Sequence, residues 1–203
     1  MHFHGHGYSA SGNLEPLVRF DETLTVLHTR GVVFDVVAEV DPLCSSGRSA
    51  SEIVGSARLM LSGIPPDGTG LFGTVTDELL RTVLRTRSFV DAETLRSEDL
   101  VIETIMDKRR FFVTAGSRLY IGPSDIRPGD AVSILAGCNF PMVLWRRGEV
   151  ENIVVGEAYG RATFAVLIGS AYVLMIPVHN GMAGEVLEDR SVPGLEWKEL
   201  SLC

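Results

Sequence analysis

Residues 109–159 read RRFFVTAGSRLYIGPSDIRPGDAVSILAGCNFPMVLWRRGEVENIVVGEAY, and the punctuation of this stretch decides the fold class. Gly116, Gly122-Pro123, Pro128-Gly129-Asp130, Gly137, Pro141 and Gly148 fall every few residues between short apolar runs. Such spacing suits a small antiparallel sheet or barrel, with strands expected at 111–114, 119–121, 131–135, 142–145 and 153–155. In Arg127-Pro128-Gly129-Asp130, proline holds φ near −65° and glycine tolerates positive φ, which specifies a tight turn just before a strand.

Upstream the pattern is mixed. Leu24 to Val40 is rich in β-branched residues and broken by Gly31, which predicts two strands or one long bent strand, ended by Pro42 and the Ser45-Ser46-Gly47 cluster. Ile53, Val54, Ala57 and Leu61 recur at helical spacing, so a helix is expected over 51–60. Pro65-Pro66-Asp67-Gly68 closes it as a loop. A second helix is predicted from Thr76 through Leu79, Leu80, Val83 and Leu84, and a third after Ser97, with Leu100, Val101, Ile105 and Met106 as its apolar stripe. The expected fold is therefore α+β: strands and about three helices in residues 1–108, then a β-rich, barrel-like module in 109–203 with an apolar insert at 160–177.

The chain has 203 residues, 45% of them hydrophobic and 22% charged, which places it among globular proteins rather than disordered ones. Its formal net charge is −8, and the basic residues cluster only briefly, at Lys108-Arg109-Arg110 and Arg146-Arg147. Nucleic-acid binding needs a concentrated basic face and is not expected. Cys44, Cys138 and Cys203 are odd in number and form no Cys-x-x-Cys pair, which suits free thiols in a reducing compartment. No basic-then-apolar leader opens the sequence, so a cytoplasmic location is the expectation. His2, His4 and His6 would share one face of a strand, yet no carboxylate or cysteine accompanies them, and no metal or other cofactor is assigned.

Cys138, with His179 as base and Asp130 or Glu157 as orienting acid, would make a cysteine-dependent hydrolase or transferase, but no nucleophile elbow or helix N-terminus is readable around Cys138. Asp125 and Asp130 flank a turn, where carboxylates accept backbone N–H bonds. Gly68-Thr69-Gly70-Leu71-Phe72-Gly73 has dinucleotide-loop spacing, but the preceding Ile64-Pro65-Pro66-Asp67 is a loop rather than the required strand.

Taken as an ordered series, Arg109-Arg110-Phe111-Phe112-Val113-Thr114, Gly122-Pro123-Ser124, Arg127-Pro128-Gly129-Asp130, Gly137, Phe140-Pro141-Met142-Val143-Leu144 and Gly156-Glu157-Ala158-Tyr159 resembles the C-terminal region of fungal heterokaryon-incompatibility (HET) proteins. The likeness continues in Val178-His179-Asn180-Gly181-Met182-Ala183-Gly184-Glu185 and a closing Trp197 segment, and reaches back more loosely to Ala10-Ser11-Gly12 and to Leu24 through Val40. The family's N-terminal HET domain, similar to TIR-type folds and linked to cell death after non-self fusion, has no counterpart here. The resemblance thus implies a non-catalytic regulatory, recognition or scaffold region acting through a protein partner.

The sequence also departs from the family where Gly160 through Pro177 separate two blocks that are otherwise contiguous. Ala162 to Val178 carries no charge, but it falls short of the roughly 20 apolar residues that span a bilayer, so no membrane insertion is expected. The preferred expectation is that 160–177 is translated intron, because its removal restores Tyr159-Val178-His179. The other is a buried strand or helix.

Overall fold

A computed structural model describes residues 18–43, 47–63, 76, 77, 80, 97–138, 140–155, 158–170, 172–175 and 198–202. The chain divides into two compact units that interleave along the sequence. The first comprises 1–36, 129–170 and 179–203, and the second 37–128 and 171–178. Mixed α+β is the fold class, as the sequence predicts.

The second unit is built on helix α1 (Ala50–Ser62), helix α2 (Glu98–Met106) and the antiparallel hairpin of β3 (Arg109–Thr114) with β4 (Leu119–Pro123). Helix α1 starts where its capping chemistry allows. Ser49 lies in extended backbone and its hydroxyl accepts from the Glu52 N–H, while the Glu52 carboxylate accepts from the Ser49 N–H. The helix then buries Ile53, Val54, Ala57, Met60 and Leu61. Helix α2 is capped by Ser97 in the same way, its hydroxyl accepting from the Leu100 N–H. Its stripe is rotated from the one expected. Val101, Ile102 and Met106 are buried, whereas Leu100 is exposed and Ile105 half-buried. The helix predicted after Thr76 falls mostly outside the described residues. Where it is described, the Leu80 N–H donates to the Thr76 carbonyl, one helical turn back.

These helices cover one face of the hairpin. Phe111, Leu119 and Ile121 pack with Ile53, Val54, Ala57, Leu80, Ile102 and Met106 in a single cluster. Each fully buried side chain of this size contributes about 1.5–3 kcal/mol of transfer free energy. On the opposite face Phe112 and Tyr120 are also fully buried and stack with ring centroids 5.1 Å apart. The last residues of β2 (Leu27–Val40) pair with β3, and β8 (Tyr172–Met175) pairs with β4.

The first unit consists of strands alone among the described residues. β1 (Val18–Phe20) and β5 (Ala131–Leu135) both pair with the first part of β2, as does β9 (Lys198–Leu202). β6 (Met142–Val155) pairs with β5 and with β7 (Ala158–Ser170), and β7 runs parallel to β9. Ala131, Leu135, Leu144, Leu200 and Leu202 form its core, with Leu27, Val33, Cys138 and Met142 packed alongside.

Several expectations are corrected by this arrangement. The stretch 109–203 is not a self-contained barrel-like module. β5 and β9 both take their partner from β2, in the N-terminal part of the chain, while β3 and β4 lie in the unit that holds the helices. The boundary drawn at 108/109 accordingly falls inside one compact unit, because Phe111, Leu119 and Ile121 are what α1 and α2 bury. The two strands expected at 142–145 and 153–155 are one strand of 14 residues. Pairing with β7 runs the length of this strand, and the register shifts at Arg146/Gly148 and Val150/Ile153 absorb the glycine that looked like a turn. Most of the apolar insert is strand, divided between β7 and β8. Among the described residues no helix is long and apolar enough to cross a membrane.

Gly122 lies within β4 rather than at a turn, and its position is set by close approach. A Cβ there would collide with Ile126 Cδ1 and lie 2.9 Å from Phe112 Cε1, both on fully buried side chains. Gly55, within α1, has open space where a Cβ would sit. Urea denaturation is therefore expected to show Gly122→Ala destabilising the protein by roughly 1–3 kcal/mol. Gly55→Ala is expected to stabilise it by about 0.5–1 kcal/mol.

Candidate functional site

The motif residues of 109–130 hold positions that the backbone requires. The β3–β4 ladder sets Arg109 opposite Pro123 and Arg110 opposite Gly122, so four of them meet across one hairpin, with Phe111 buried beneath. Pro128 and Gly129 make the turn before β5, Gly129 at φ +93°, and Asp130 is 3% exposed at its end. Pro141 is buried just before β6, and Ala158 and Tyr159 open β7 opposite Val155 and Val154. Gly156, Glu157, His179, Gly184 and Glu185 lie outside the described residues, as do His2, His4, His6, Cys44, Cys203 and the glycine series 68–73.

Cys138 follows β5 and its N–H donates to the Leu135 carbonyl, 3.0 Å away. Burial beside the Leu135 and Leu144 core pushes its thiol pKa up, opposite to the shift that activates a nucleophilic cysteine. A serine–histidine contact also occurs in the first unit, where His28 Nδ1 and Ser201 Oγ are 3.1 Å apart. Ser201 is 2% exposed and stands in a strand paired on both sides, with His28 and with Phe164. Those ladders occupy the neighbouring backbone donors that an oxyanion site would need. Among the described residues no group of three or more His, Cys, Asp or Glu side chains is placed to hold a metal ion.

The densest polar arrangement among the described residues lies at the start of α1, outside the motif series. Arg48 Nη1 donates to Asp41 Oδ2 at 3.1 Å, while Nη2 donates to the Glu52 carbonyl at 2.7 Å and to Ser56 Oγ at 2.8 Å. Asp41 is 2% exposed, and its other carboxylate oxygen accepts from the Leu43 N–H. The Asp41 N–H donates to the Phe111 carbonyl, tying this pair to β3. From α2, Glu103 reaches across to accept from the Ala50 N–H, one of the donors a helix start leaves open. Gly47, Arg48, Ser49, Glu103, Thr104 and Asp107 line an open recess here. Hydrogen bonds from the Ser49 side chain and backbone, with the Arg48 charge, lower the Glu52 pKa.

Chemically this is a clamp. Arg48 spends three donor contacts on the protein itself, and the Glu52 and Glu103 carboxylates accept from backbone N–H groups. The Ser49-x-x-Glu52 box ahead of Ile53 is readable as a helix start. The Asp41–Arg48 pair spans seven residues and a turn, a separation that carries no local signal. In comparisons with known proteins, no family model, no curated protein and no solved structure matches this chain.

Asp41 is buried and Arg48 half-buried, so removing the carboxylate takes a hydrogen-bonded counter-charge from a partly desolvated guanidinium, and Asp41→Ala is expected to cost roughly 1–3 kcal/mol by denaturant titration. The double variant Asp41→Ala/Arg48→Met should recover a large part of that loss. If both variants are equally unstable, Arg48 acts through packing rather than charge.

A second carboxylate gives a pH test. In the loop between β1 and β2, Asp21 accepts from the Thr23 hydroxyl and from the Val26 and Thr25 N–H groups, which lowers its pKa to about 2. The folded value lies below the unfolded one of about 3.9. The stabilising contribution is therefore complete above the unfolded value and is lost as pH falls toward the folded one. Carboxyl NMR titration should place the Asp21 midpoint near 2, and Thr23→Ala should move it upward.

Proposed function

We propose that this chain is a non-catalytic recognition or scaffold module, corresponding to the C-terminal region of heterokaryon-incompatibility proteins and acting through protein contacts in fungal non-self response. The reading rests on the motif series and on one observation. Three of the residues that carry the resemblance are accounted for by packing and turn geometry: Phe111 in the core, Gly122 under the Phe112 ring and Gly129 at positive φ. A series whose residue types answer to backbone and core demands needs no reaction to explain it. The upward push on the Cys138 thiol supports the same view.

On this reading the first unit is a sheet whose strands pair in succession from β5 through β6, β7 and β9 to β2. The position of β7 between β6 and β9 supports reading the segment 160–177 as part of the module over translated intron. The protein is placed in the cytoplasm, with no cofactor.

Two measurements test the proposal on the purified full chain. Biolayer interferometry against a separately expressed HET domain is expected to detect binding. Hydrolysis of 4-nitrophenyl acetate is expected to stay at background for wild type and Cys138→Ala alike. Turnover that disappears in Cys138→Ala would overturn the non-catalytic reading, and absence of any HET-domain binding would remove the proposed partner.

A further inference from the structure

We draw no further inference here: the strongest candidate, the polar recess lined by Gly47, Arg48, Ser49, Glu103, Thr104 and Asp107 at the start of α1, combines a helix N-terminus with an acidic cluster and has no second feature that points to a ligand.

Discussion

Strand β2 sets the constraint on which the other elements depend. Its 14 residues expose a backbone donor and acceptor at nearly every position, and buried groups of that kind cost free energy unless paired. The partners come from far along the chain: β5 and β9 for its first part, β3 for its last. Its pairings with β5 and with β3 each contain a register shift, at Val33/Asp35 and at Val37/Glu39. Because β2 belongs to both compact units, neither is continuous in sequence.

Within the second unit the hairpin and helices depend on one another. Neither helix buries its apolar stripe alone, and the helix-facing side of β3–β4, with Phe111, Leu119 and Ile121, would be exposed without them. The Asp41–Arg48 pair joins the end of β2 to the first turn of α1, and Glu103 joins α2 to the same turn. Such polar ties contribute modest net stability when complete and cost several kcal/mol when half removed. They hold the helices in register on a core whose apolar packing is less directional.

Much of the local structure was legible from residue types. Ser97 stands where α2 begins, Pro128-Gly129 where the turn before β5 occurs, and the apolar runs at 111–114, 119–121 and 131–135 lie in strands. The misreadings share a cause. Gly122 and Gly148 looked like punctuation, because a glycine needed for close approach or for a bulge is indistinguishable in sequence from one needed for a turn. The α2 stripe was misphased because Leu100, Val101, Ile102, Ile105 and Met106 are all apolar, leaving the burial face to whichever neighbour packs there. The polar clamp was invisible because charge pairing across Asp41 and Arg48 has no periodicity.

By itself, then, the amino-acid sequence determined the α+β class, the start of α2 at Ser97 and the tight turn at 127–130. Those features are local, governed by side-chain capping, φ preference and alternation over a few residues. Only the tertiary structure decided that the 109–159 stretch is divided between two units, that β6 is continuous, and that residues of the apolar insert supply strands. These outcomes depend on which distant segment satisfies each strand's backbone hydrogen bonds, and no short window of sequence contains that partner.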